Sequence, residues 1–159
     1  MMRRQLLSIP RSARWLAGIA LLLITVPTWA QPKQYLIDPE HLSIGFLVQH
    51  IGYAATLGLF RKAEGSFVFD EDTGQLSALK ITIDTASVFT NHEKRDKHLR
   101  SEDFLDSDQY PQMVLSAKSG QFKKQQPTTL TGELTLHGVP RPISLHATWN
   151  QSDRYPIPS

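Results

Sequence analysis

The residues of this sequence with the most evident chemistry lie between Thr90 and Asp106. His92-Glu93-Lys94-Arg95-Asp96 follows the zinc-protease pattern HExxH with Asp in place of the second His, and on a helix His92 and Asp96 share a face at i, i+4. That face supplies only two ligands. His98 falls roughly 120° away from His92 around a helix of ~3.6 residues per turn and cannot join them. A solvated helix carrying Glu93–Lys97 and Asp96–Arg100 pairs, each worth about 0.2–0.5 kcal/mol, accounts for the same residues, so no metal site is assigned. Asp96, His98, Arg100 and Asp103 form a second grouping, either ligands for a polar head group at a cavity mouth or a hydrogen-bonded clamp fixing a helical insertion to the fold. The clamp is the reading taken here, because buried charges need partners and these are complementary. His50 and His137, at strand ends, read as turn residues rather than proton shuttles. After residue 30 there is no GxSxG element, glycine-rich phosphate loop or Cys nucleophile, so no catalytic residue is assigned and the chain reads as a non-enzyme.

The elements that would position these side chains are mostly strands. From Leu42 to His50, Leu42, Ile44, Phe46 and Val48 share one face against Ser43, Gly45 and Gln49. Thr56–Phe60 and Gly65–Asp70 read as the next strands, and Glu71–Gly74 as a turn before a strand in which Leu79, Ile81 and Ile83 alternate with Lys80 and Thr82. Met113–Lys118 continues the pattern. Leu130, Leu134 and Leu136 then share a face with Gly132, and Ile143, Leu145, Ala147 and Trp149 repeat it. One stretch is helical: Thr90 as cap, Glu93 at the capping-box position, then HEKRDKHLR without glycine or β-branched residues, with Ser101 capping a shorter turn. Around six or seven alternating strands predict an all-β, meandering antiparallel barrel or sandwich with one helical insertion.

The first thirty residues have a different character. Arg3, Arg4, Arg11 and Arg14 precede an apolar run of about twelve residues, Trp15–Val26, and then Thr28-Trp29-Ala30, which predicts a secretory signal peptide cleaved after Ala30. The run falls short of the ~20 residues a membrane-spanning helix needs, so no permanent anchor is expected. Arg3-Arg4 faintly resembles a twin-arginine signal, but general secretion is the preferred route. No Cys follows the run, which excludes lipoprotein acylation. Removing the four signal arginines lowers Lys+Arg from 17 to 13 against 15 Asp+Glu, so the mature domain, Gln31 to Ser159, carries a net charge of about −2. The basic balance of the whole chain belongs to the signal, and nucleic acid is not an expected partner. With no Cys in an exported chain, stability rests on packing within one domain.

The motifs YLIDPEHLSIGF at Tyr35–Phe46, HIG at His50–Gly52, HLRSEDFLD at His98–Asp106 with Tyr110-Pro111, and GELTLHGVPRPISL at Gly132–Leu145 occur in an order and spacing that resembles the YceI family over nearly the whole mature chain. The resemblance implies a lipocalin-like antiparallel β-barrel, periplasmic or secreted, that carries or stores a polyisoprenoid, quinone-like molecule or other long-chain lipid and uses no further cofactor. A barrel of about eight strands holds one small ligand, and burying each CH₂ contributes about 0.8 kcal/mol, so binding needs no distinctive polar motif. Alternation and size select Phe46, Val48, Phe60, Phe67, Phe69, Ile81, Met113, Leu115, Leu134 and Leu136 as the lining. An enzyme acting on a lipid head group through Asp96–Asp103, and a ligand-free stress protein with a filled barrel, are the rival readings. Two departures from the family stand out. Ala63 replaces a residue more often aromatic, which would reshape one cavity end. The chain also stops at RYPIPS where the family continues through about two further strands. We therefore expect an incompletely closed or truncated barrel, whose exposed edge leaves room for a homodimer.

Overall fold

Strict alternation of apolar and polar residues makes most of this chain extended, because side chains two apart face the same side of a strand. The computed structural model describes residues 31–153. The expected signal segment and the last six residues lie outside the described residues. In chain order the elements are β1 (Lys33–Leu36), β2 (Ile44–His50), β3 (Ala54–Phe60), β4 (Ala63–Asp70), β5 (Gln75–Asp84), a 3₁₀ turn (Thr85–Ser87), β6 (Val88–Phe89), α1 (Glu93–Arg100), β7 (Gln112–Gln121), β8 (Pro127–Leu136) and β9 (Val139–Thr148). Every pairing is antiparallel.

The expected single meander is corrected to two sheets. One has six strands in the order β1-β4-β5-β7-β8-β9, and the other has three, β2-β3-β6. The β2–β3 hairpin leaves the large sheet, and β1 pairs directly with β4, Tyr35 opposite Phe67. β1 and β6 were not foreseen, since four and two residues are too few to show a period.

Across the large sheet one register row runs Gly65, Ile81, Leu115, Leu134, Arg141, and the next includes Leu79, Ala117, Gly132 and Ile143. Apart from the exposed Arg141, these rows make a continuous apolar face. At its best-buried end Phe69, Leu76, Phe122 and Leu130 form the core cluster, with Tyr35, Phe67, Leu79, Leu145, Ala147 and Trp149 packed against it. The sheet also curls. Trp149, just past β9, sits four strand positions from β4, a distance of roughly 19 Å in a flat sheet at ~4.8 Å per strand. Its ring centroid nevertheless lies 4.9 Å from that of Phe69, edge to face. The sheets remain unclosed among the described residues.

The turn between β8 and β9 shows the local cause of a strand end. His137 and Gly138 have φ of 52° and 72°, the pair of left-handed conformations that a two-residue hairpin between Leu136 and Val139 requires. A side chain at Gly138 would also meet the Tyr110 ring at 2.6 Å. At the helix, the expected caps are corrected. His92 is the N-cap, its Nδ1 accepting from the Arg95 amide at 3.2 Å, so Glu93 opens the helix rather than closing a capping box. Thr90 is engaged elsewhere, as described below. Ser101 ends this helix, donating its hydroxyl to the His98 carbonyl at 2.8 Å, and also opens the expected shorter turn, its carbonyl accepting from the Phe104 amide at 3.1 Å. The helix has eight residues with Glu93 and Asp96 early and Lys97, His98 and Arg100 late, the distribution that suits its dipole.

Candidate functional site

The curl of the large sheet creates a cavity of about 630 Å³ over its apolar face. Its floor and walls are Tyr35, Phe67, Phe69, Leu76, Leu79, Phe122, Leu130, Ala147 and Trp149, with Glu71 and Gln151–Asp153 at the rim. The aromatic rings lock one another. Tyr35 stacks on Phe67 at 5.1 Å, and Phe69 meets Phe122 at 6.1 Å edge to face. Each ring's polar handle is satisfied at the rim. The Tyr35 hydroxyl donates to Glu71 Oε1 at 2.5 Å, and the Trp149 indole N–H donates to Ser152 Oγ at 2.8 Å. The Glu71 carboxylate holds the Tyr35 proton and raises that hydroxyl above its ordinary 10.0, so the cavity keeps a neutral phenol. The volume falls within the ~300–1,000 Å³ typical of ligand pockets, and the mostly apolar lining with a few polar rim groups is the usual composition of one.

A second, smaller cavity of about 450 Å³ lies between the β2–β3 hairpin and the helix, lined by Phe46, Val48, Ala54, Thr56, Thr90, Arg95, His98, Leu99 and Phe104. Phe46 lies flat over Gly58, where a Cβ would approach its ring to 2.1 Å, so only glycine fits there. Phe60 continues this face, its ring 5.3 Å from Phe46.

On the other side of the helix is a polar cleft of about 740 Å³ whose charged lining is balanced, Arg61, Lys62 and Arg100 against Asp84, Glu93 and Asp96. Asp96 is buried, and its Oδ1 accepts from the Thr90 amide at 2.8 Å and the Thr90 hydroxyl at 2.5 Å. Arg95 completes the bracket, Nε to the Thr90 hydroxyl and Nη2 to the Thr90 carbonyl, both at 2.7 Å. Arg100 reaches the Val88 carbonyl at 3.4 Å. His98 turns the other way, its Nε2 3.0 Å from Asp103 Oδ2 and its ring edge to face with Phe104 at 4.8 Å. The four polar residues singled out from sequence thus separate into two pairs on opposite sides of the helix. The expected Asp96–Arg100 and Glu93–Lys97 ion pairs are not formed among the described residues, where the two ion pairs present both involve histidine.

The ten residues selected as lining do not share one cavity. Phe67 and Phe69 face the large one. Phe46 and Val48 face the smaller one, with Phe60 beside them. Ile81, Leu115 and Leu134 are half-buried along one row of the large sheet. Met113 is buried opposite Ile83, and Leu136 is exposed next to the hairpin turn. Sequence reasoning missed Tyr35, Leu76, Leu79, Phe122, Leu130, Ala147 and Trp149 as wall residues. Phe122 carried a signal, an isolated aromatic in the polar run Gln121–Gln126. Leu76 carried none, because the bulge at Ala78, with φ 54°, changes which side the strand presents.

An unclosed antiparallel β-shell, concave and apolar inside and braced by one short helix, defines the class as a barrel-type β protein. The chain belongs to the YceI-like domain family, whose model matches residues 35–156. It is 44% identical over 120 residues to Protein YceI of Escherichia coli O157:H7, covering 74% of this chain and 62% of that protein. It is 38% identical over 129 residues to a UPF0312 protein of Pseudomonas syringae pv. tomato, covering 80% and 67%. The chain therefore spans about two thirds of the length of these relatives. Among solved structures, the Campylobacter jejuni YCEI protein aligns with TM-score 0.56 and 32% identity over 72% of this chain and 67% of that one. Burkholderia cenocepacia BcnA aligns with TM-score 0.65 and 21% identity, covering 74% and 73%. A polyisoprenoid binding domain from Saccharophagus degradans shares the fold with TM-score 0.51 and 16% identity, covering 74% and 64%.

Proposed function

We propose that this protein is an exported, periplasmic carrier or reservoir that holds a polyisoprenoid or similar long-chain lipid by burial, without covalent chemistry. The aromatic cavity of about 630 Å³ carries this reading. Its walls offer rings and branched aliphatic groups to a prenyl chain, and its rim offers hydrogen-bonding groups to a head group. Each buried CH₂ contributes about 0.8 kcal/mol, so a few isoprene units suffice for tight binding after ordering costs. The polyisoprenoid-binding domain that shares this fold supports the ligand class. The Arg-rich, apolar N-terminal segment with Ala30 at its end supports export and cleavage there.

The test is titration of the folded protein with a fluorescent farnesyl-chain probe. Saturable binding is expected, and Leu79→Asp, which sets a carboxylate on the cavity wall, weakens it by about tenfold or more at unchanged circular dichroism. Equal binding by that variant, or none by the folded parent, contradicts the assignment.

A further inference from the structure

The large cavity differs from its neighbours in the sign of its charge. The polar cleft sets cations against carboxylates, and the smaller cavity holds Arg95 and His98. Around the large cavity the charged residues are Glu71 and Asp153, and among the described residues no Lys, Arg or His lines it. The direction of the hydrogen bonds at the rim adds to this bias. Two ring donors are already engaged within the protein, the Tyr35 hydroxyl with Glu71 Oε1 at 2.5 Å and the Trp149 indole N–H with Ser152 Oγ at 2.8 Å. The capacity they leave is that of acceptors, on the Glu71 carboxylate and the Tyr35 phenol oxygen. Asn150 and Gln151 also stand at the rim, but a carboxamide both donates and accepts and so favours neither sign. The neighbouring rings present electron-rich faces. Trp149 already draws a cation, the Lys124 ammonium, which lies outside the cavity lining and 6.0 Å from the ring centroid.

Taking the large cavity as the lipid site, as proposed above, we infer that its rim is a head-group site for a protonated amine, so that the protein selects a long-chain ammonium amphiphile over a prenyl phosphate. The ammonium donates to Glu71 and to the Tyr35 oxygen while its chain lies among the rings. A phosphate head group brings its negative charge beside the Glu71 carboxylate and finds both ring donors occupied. Glu71 is thereby a specificity-determining residue, acting on the head group and not on the chain.

The test uses three ligands with one chain, farnesylamine, farnesol and farnesyl phosphate, each competing with the fluorescent farnesyl-chain probe for the folded protein at fixed neutral pH and salt. Farnesylamine is expected to displace the probe at about a tenfold lower concentration than farnesyl phosphate, with farnesol between them. Glu71→Gln removes the charge but keeps an acceptor, and it is expected to narrow that gap by about threefold or more. Glu133→Gln makes the same change of charge in a separate surface pocket and is expected to leave the gap as it is. An amine that binds no better than the alcohol, or a phosphate that binds as well as the amine, overturns the inference and leaves lipid storage standing. So does a gap that the two variants narrow alike, which marks attraction to the protein's overall charge. If neither the probe nor any of the three ligands binds, the lipid site falls and the head-group site with it.

Discussion

At the scale of single residues, Asp96 shows how a charged group tolerates burial. Its carboxylate is held by the backbone and hydroxyl of Thr90, which Arg95 also grips, so the start of the helix is tied to the strand end before it. Removing the carboxylate leaves the Thr90 donors unpaired. Asp96→Ala should therefore destabilise the protein by about 1–3 kcal/mol in urea unfolding, with Asp96→Asn losing less. Gly138→Ala should cost about 1–2 kcal/mol for the left-handed backbone and more for the contact with Tyr110, read by the same measurement. In the loop before β2, the Asp38 carboxylate lies 2.6 Å from His41. Hydrogen bonding between them raises the imidazole above 6.5 and lowers the carboxyl below 3.8. The histidine's contribution is complete below its unfolded value and fades as pH rises through its raised folded value. The carboxylate's contribution is complete above 3.8 and fades as pH falls through its lowered one. An NMR titration should place the His41 midpoint above 6.5, and Asp38→Asn should lower it.

At the scale of elements, the long strands were legible because their alternation survives over seven to ten residues. The helix was legible from its charged, glycine-free run, but its cap was not. The sequence suggests Thr90 as the cap, but the buried carboxylate of Asp96 takes both Thr90 donors, and His92 caps the helix instead. Division into two sheets was illegible, since strand pairing depends on contacts between residues distant in sequence. The split of the ten candidate lining residues follows from that division, because a shared strand face does not say which sheet the face belongs to. Leu130 connects these levels: its side chain fills the space above Gly120 and helps wall the cavity. Leu130→Ala should cost about 2–5 kcal/mol in unfolding.

At the scale of the molecule, the fold gathers Tyr35, Phe67, Phe69, Phe122 and Trp149 where the large sheet curls toward itself and lines a separate cleft beside the helix with charged groups of both signs. An apolar concavity with satisfied polar handles at its rim is suited to storing a greasy chain, whereas the polar cleft beside the helix has its charges already balanced within the protein. The central claim is that the concave face holds a long-chain lipid. The most direct measurement is native mass spectrometry of the protein recovered folded from a bacterial host, followed by organic extraction of whatever leaves it. The account predicts a discrete adduct whose extracted mass fits a prenyl chain and which is lost in Leu79→Asp. A folded protein of bare polypeptide mass that also fails to take up added polyisoprenoid would contradict it.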